Sequence, residues 1–196
     1  MSDDTLKLQI DSCAEDAAFE SALRGDSPGA MSATLDGRVT ELFQRLRGSV
    51  YRYLVAVIQD PAVAEEVTQE AFLRLYCHLR ERKPVDHVRP WIFRVAHNLA
   101  LNEKVRRRFL GAGESAAREP ARVPAEWGSA DPEQTLLLRE RTDLALQQLS
   151  RHQRECLVLK VEGFRYREIA EILGLSLPNV SQSLRRGIKK LMRELA

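Results

Sequence analysis

The chain has 196 residues and a mass of 22.3 kDa, enough for one ordinary domain or two small ones. Its composition, 44% hydrophobic, 30% charged and only 6% aromatic, suits a helical protein better than a sandwich or a barrel. No run approaches 18 apolar residues, which excludes a membrane-spanning helix, and the net charge of +2 excludes a uniformly basic or acidic surface.

That small net charge hides segregation. Residues 1–36 carry eight acids against two bases, residues 60–81 five acids against two bases, residues 89–108 six bases against one acid, and residues 180–193 five bases and no acid. Two basic blocks separated by neutral or acidic sequence are the pattern of a chain that meets a polyanion at two places. The acidic start MSDDTLKLQIDSC has no basic segment leading into an apolar one, so no secretory signal is read and a cytoplasmic location is expected. Cys13, Cys77 and Cys156 lie far apart, and His78, His87, His97 and His152 are dispersed. No metal site, cofactor or catalytic residue is therefore expected, and no enzyme motif is found.

In chain order, apolar residues recur at helical spacing from Val39 to Tyr76, first as Leu42, Phe43, Leu46, Val50, Tyr53, Leu54 and Val57, then as Val67, Ala71, Phe72 and Leu75. Between the two runs stands Gln59-Asp60-Pro61, with Asp60 placed as an N-cap and Pro61 at the first helical position, which predicts a helical hairpin. A polar loop, residues 81–88, leads into a third helix over about 90–109. Ile92, Val95, Ala96 and Leu99 form its apolar stripe, expected to pack on the hairpin. Trp91, Arg94, Asn98 and Asn102 form a neighbouring stripe suited to stacking, phosphate and base edges, with Arg106, Arg107 and Arg108 extending the field. A solvated polar face with a tryptophan that staples the loop is the alternative.

From Gly111 to Asp131 glycine, alanine, proline and serine replace the periodic pattern, which reads as a flexible linker. The pattern resumes at Leu136, with Ser150 as an N-cap. Then Ile169, Ala170, Ile172 and Leu173 form one apolar face, Gly174 ends that helix, and Ser176 caps the next. Val180, Leu184, Ile188 and Leu191 are its expected core stripe. Two helices joined by a short glycine turn, the second one basic, predict a helix-turn-helix. The fold class is thus all-α: two small helical domains joined by a flexible linker.

The stretches DPAVAEEVTQEAFLRLY, RPWIFRVAHNLAL and LSRHQRECLVLKVEGFRYREIAEILGLSLPNVSQSLRRGIKKL, in that order, resemble bacterial RNA polymerase sigma factors of the extracytoplasmic-function group. The resemblance implies an acidic extension (1–36), a region 2-like domain (37–109), a linker (110–133) and a region 4-like domain (134–196). It also implies a protein without catalysis of its own that directs core RNA polymerase to promoter DNA and helps to open the duplex. An anti-sigma factor as a further partner is implied as well, with no small-molecule substrate and no membrane insertion.

Residue by residue, the resemblance places core-polymerase binding at Glu66, Gln69, Glu70 and Leu73, with Asp60 and Glu65 beside them. Val63 stands where many relatives carry an acid. Contacts to the −10 element fall on Lys83, Asp86 and His87 in the loop and on Arg89, Trp91, Arg94, His97, Asn98 and Asn102 in the helix. Ile92 replaces a second aromatic, so melting is expected to rely on one tryptophan. Contacts to the −35 element fall on Asn179, Ser181, Gln182, Arg185 and Arg186, with Lys160, Lys189 and Lys190 toward phosphate. Ser181 and Pro178 depart from the common basic residue and glycine. A stand-alone helix-turn-helix regulator binding operators is the competing function.

Overall fold

The structure, a computed structural model, describes residues 35–83, 85–109, 146 and 148–195. The linker, almost all of the acidic extension and most of the segment from Leu136 to Ser150 lie outside the described residues. Among the described residues there are six helices and no strand: α1 (Leu35–Ile58), α2 (Pro61–Arg80), α3 (Val88–Phe109), α4 (Arg151–Val161), α5 (Tyr166–Leu173) and α6 (Leu177–Leu195).

The α1–α2 corner forms as its sequence dictates. Gln59 leaves α1 with φ +62°, the left-handed geometry common just past a helix end. Asp60 then accepts hydrogen bonds from Ala62 N at 3.1 Å and Val63 N at 3.4 Å, and Pro61 fills the first helical position. Helices α1, α2 and α3 pack on one another around Leu42, Leu54, Ala64, Ala71, Leu75, Ile92 and Ala96, all at most 1% exposed. Each fully buried leucine or isoleucine there contributes about 2 kcal/mol. Phe43 meets Phe72 edge to face, with ring centroids 4.9 Å apart. Val63, the apolar departure on the acidic helix, belongs to this core.

In the second half, Ser150 caps α4 and Gln153 returns the bond to the Ser150 amide at 3.0 Å. Gly163 (φ +91°) turns the chain into α5, and Gly174 (φ +63°) ends α5 in the left-handed conformation. Ser176 Oγ then accepts from the Asn179 amide at 3.4 Å at the head of α6. The core stripe of α6 departs from expectation by one residue: Val180, Leu184 and Gly187 are buried, whereas Ile188 is 47% exposed. Gly187 is the reason. A Cβ there would stand 2.8 Å from Leu157 Cδ1, so α4 approaches α6 along the glycine and rolls Ile188 outward.

The two halves also pack directly on each other, α4 against α1 and α5 against α3. Phe93 of α3, fully buried, lies edge to face against Phe164 at 4.7 Å. Arg52 of α1 binds both carboxylate oxygens of Glu162, at 3.0 and 3.2 Å. Helix α3 is consequently covered broadly: of the expected stripe Ile92 and Ala96 are buried and Val95 and Leu99 partly so, while Phe93, His97 and Ala100 form a second buried face, with Phe93 and His97 against Tyr53 of α1.

Candidate nucleic-acid interface

The acidic face comes first in the chain. Glu66, Gln69, Glu70 and Leu73 fall at i, i+3, i+4 and i+7 on α2, and all four are exposed, Leu73 by 60%. An exposed leucine among carboxylates has the chemistry to complement a surface that is basic with an apolar centre. Glu65 lies at the edge of this face, bound by Arg47 at 2.7 Å and by Gln69 at 3.3 Å, and Glu70 is paired with Arg74 at 2.8 Å. Asp60 is spent elsewhere: besides capping α2, it accepts from Arg107 Nη2 at 3.0 Å, which ties the head of α2 to α3.

On α3, Arg94, Asn98 and Asn102 are exposed along one stripe, and the stripe continues into Val105 and Phe109, 50% and 87% exposed. Trp91 is half-buried at its start with its ring against His78, centroids 4.9 Å apart. Its indole is therefore anchored on α2 while part of its surface stays open. In the preceding loop Lys83, Asp86 and His87 are all exposed, with Lys83 Nζ 2.5 Å from Glu81 Oε2. That ammonium holds the Glu81 carboxyl below its ordinary range.

Four expectations for basic or polar groups change. His97 does not face outward: it is 4% exposed and its Nδ1 lies 2.7 Å from the Tyr53 hydroxyl. Burial lowers its pKa against the opposing pull of the Glu155 carboxylate of α4, whereas burial raises that of Tyr53 with Glu155 acting in the same direction. Glu155 itself is 2% exposed and bound by Arg151 at 2.7 Å. Arg89 is engaged by the second half of the chain: its guanidinium donates to the Glu162 carbonyl and lies over the Phe164 ring at 4.7 Å. Third, the arginine run at the end of α3 is partly neutralised, because Glu103 holds Arg106 and Arg107, at 2.8 and 3.0 Å. These hydrogen bonds, the Arg106 one foremost, pull the Glu103 carboxyl down. Finally, Lys160 turns inward, donating to the Phe164 carbonyl at 3.4 Å with its ammonium 5.7 Å from the centre of the Tyr166 ring.

The recognition helix shows such interference only at Lys190. Asn179, Ser181, Gln182, Arg185, Arg186 and Lys189 are exposed above the buried Val180, Leu184 and Gly187. A helix with a rigid apolar underside and amide, hydroxyl and guanidinium groups on top has the shape and the donors to enter a major groove. Lys190, half-buried, donates to the Gln148 carbonyl. Pro178 occupies the first turn of α6, where its missing N–H is harmless.

Sequence reasoning missed the second buried face of α3 and the Arg52–Glu162 pair. Phe93, His97 and Ala100 do recur at i, i+4 and i+7, which is a helical stripe, but its histidine reads as polar. Of the thiols, Cys156 is buried, its pKa raised to about 11 by burial, and Cys77 is exposed. Cys13 lies outside the described residues. Among the described residues no helix is long and apolar enough to cross a membrane, and no cluster of metal-ligating side chains is found.

Two family models match the chain, Sigma-70 region 2 over residues 42–109 and Sigma-70 region 4 over residues 139–191. The chain is 33% identical over 156 residues to the RNA polymerase sigma factor CarQ of Myxococcus xanthus, spanning 79% of this chain and 87% of that protein. It is 32% identical over 160 residues to the ECF RNA polymerase sigma factor SigE of Mycolicibacterium smegmatis, spanning 80% of this chain and 61% of that protein. Its fold is similar to that of the sigma factor RpoE solved in complex with the anti-sigma factor NepR from Bartonella quintana. The TM-score is 0.64 at 20% identity, over 80% of this chain and 95% of that one.

Proposed function

The chain belongs to the extracytoplasmic-function type of RNA polymerase sigma factors, and from that premise we propose how its surfaces divide the work of promoter recognition. Sigma factors of this type direct RNA polymerase to promoters, and the family is not an enzyme family. The stand-alone operator-binding regulator is not favoured, because it would leave the acidic face of α2 and the polar stripe of α3 without a purpose.

In this reading the stripe Glu66, Gln69, Glu70 and Leu73, with Glu65 at its edge, docks on a basic surface of core polymerase. Arg94, Asn98 and Asn102 with the half-open Trp91, together with Lys83, Asp86 and His87 of the loop, receive the −10 element. Drawing one base out of the stack costs a few kcal/mol, least at a weak step. A single anchored indole can stack on the vacated position but cannot wedge as a pair would, so opening depends on a well-matched promoter. Asn179, Ser181, Gln182, Arg185 and Arg186 read the −35 element in the major groove, and Lys189 steadies the helix against phosphate. The cellular site is the cytoplasm, where polymerase and promoter are, and an anti-sigma factor is the expected regulatory partner.

The observation that carries the reading is that one chain exposes an acidic helix and, separately, two helix faces rich in arginine and carboxamides. Reconstitution with core polymerase tests it. The wild-type chain is expected to co-purify with core and to support run-off transcription, whereas Glu66→Lys with Gln69→Ala is expected to lose most core affinity while the chain stays folded. Undiminished core binding by that variant would overturn the docking assignment. Tight binding to duplex operators by a chain that never associates with core would overturn the function.

A further inference from the structure

We propose that His78, near the end of α2, is a positioning residue for promoter opening. Its ring holds the Trp91 indole, and its carbonyl holds the start of the loop that carries Lys83, Asp86 and His87. The inference rests on the functional reading above, which assigns Trp91 and that loop to the −10 element, and adds a residue outside the assigned surface.

The loop is closed at both ends by backbone. Arg82 stands just past α2 at φ +56°, a left-handed conformation that costs an arginine energy and that glycine commonly fills at this place. With the chain so turned, the Arg82 amide donates to the Leu79 carbonyl at 3.0 Å and the Lys83 amide to the His78 carbonyl at 3.3 Å. At the other end the Trp91 amide donates to the His87 carbonyl at 3.1 Å, so the loop runs directly into the first turn of α3. His78 and Trp91, which close the loop through their backbones, also meet through their rings, with centroids 4.9 Å apart and planes tilted by 45°. Along the segment Val88 is buried and Val85 packs against the core. Lys83, Asp86 and His87 are thus exposed on a loop that is fixed at both ends and braced between them.

The brace matters because of what opening demands. A base drawn out of the stack is stabilised by an aromatic face, and most by one already in place. A loose indole or a loose loop has to be ordered at that moment, which subtracts from the opening equilibrium. The closed duplex makes no such demand, since most of its contacts go to phosphate and sugar. Loss of the His78 ring therefore falls on opening and spares the first encounter with the promoter.

The test uses the full chain bound to core RNA polymerase, on a promoter selected from a randomised template pool by run-off transcription with the wild-type factor. Opening is read by permanganate reactivity of unpaired thymines, and closed-complex affinity by binding to the same duplex at low temperature. His78→Ala should reduce the opened fraction about fivefold, the usual worth of one aromatic pair, with closed-complex affinity unchanged. His78→Phe, which returns a ring to the same place, should recover most of the opening. Arg82→Val breaks the backbone end of the brace without touching either ring, because a β-branched residue resists a positive φ, and it should also lower the opened fraction. The sequence has two tryptophans, so in the free chain with Trp127→Phe the fluorescence reports Trp91 alone. There His78→Ala should raise quenching by acrylamide and lower the anisotropy.

Unchanged quenching and anisotropy in His78→Ala would overturn the ring contact. A looser indole with undiminished opening would overturn the role in opening, as would His78→Phe that opens no better than His78→Ala. Closed-complex affinity that falls as far as opening does would make His78 merely structural, and normal opening in Arg82→Val would remove the loop from the proposal. A wild-type holoenzyme that transcribes no template of the pool would refute the functional reading itself, whereas normal transcription with equal opening by His78→Ala refutes this inference alone.

Discussion

Helices α3 and α6 are both amphipathic, basic and assigned to DNA, yet one keeps its polar face open and the other does not. On α6 the apolar residues face α4 and every candidate contact from Asn179 to Lys189 is exposed. On α3 one side packs on the hairpin, where His97 is buried against Tyr53 of α1, and another packs on the second half of the chain, which engages Arg89. A helix that packs only within its own half, as α6 does on α4 and α5, presents its polar residues to solvent. A helix that packs on both halves, as α3 does on α1, α2 and α5, hides some of them, and hydropathy does not say which.

The largest effect that sharpens this contrast comes from two adjacent residues of α3. Phe93 is fully buried and touches Tyr53 and Phe164, at 5.6 and 4.7 Å, whereas Arg94 is exposed. Phe93→Ala should cost about 3–5 kcal/mol, as loss of a buried phenylalanine generally does. Arg94→Ala should stay within about 0.5 kcal/mol of wild-type stability and should instead weaken binding to a −10 strand. Thermal unfolding of the two variants side by side checks this, and equal destabilisation would mean that α3 is not divided into a packed and an open face.

On α6 the corresponding effect is one of recognition alone. Arg185→Ala should cost about 1–3 kcal/mol, concentrated at one base position, with the unfolding temperature hardly moved. Affinities for a set of single-base promoter variants measure it; a uniform loss across the set would place Arg185 on phosphate instead.

The same contrast marks what the sequence could disclose. Asp60 with Pro61, Ser150 and Gly174 were legible because a cap or a turn is decided by residues within four positions of one another. The open face of α6 was legible because its packing partner lies in the same small domain. Ile188 was misplaced because a period of 3.6 residues does not reveal that Gly187 brings two helices close enough to rotate the stripe. Arg52 and Glu162 were beyond reach for another reason: they stand 110 positions apart, and charged residues on separate helices read as solvated until the helices are brought together.

His97 offers a smaller effect that follows from its burial. The groups around it are Tyr53 of α1, Lys104 of its own helix, and Arg151, His152 and Glu155 of α4. Its folded pKa lies below the ordinary 6.5, so the unfolded chain takes up the proton first as pH falls. Its contribution to stability is therefore full above pH 6.5 and is lost as pH drops from there toward the lowered value. Glu103, whose pKa is also lowered, gives the same sign in a separate window below 4.5. His97→Gln should flatten the upper window and leave the lower one, as read by denaturant midpoints across pH; a wild-type slope retained in that variant would mean that another group titrates there.

The smallest effect compares two neighbouring lysines on α6. Lys189 is exposed, whereas Lys190 is half-buried and donates to the Gln148 carbonyl. Each would weaken all promoters alike if lost, because phosphate contacts carry no sequence information. A phosphate contact lowers the slope of log affinity against log salt by about one when it is removed. Lys189→Ala is expected to show that full decrement and Lys190→Ala a smaller one, since Lys190 must leave a protein carbonyl before it can meet a phosphate. Equal decrements would show that the Gln148 contact breaks on DNA, and that even the helix with the open face alters its own packing when it binds.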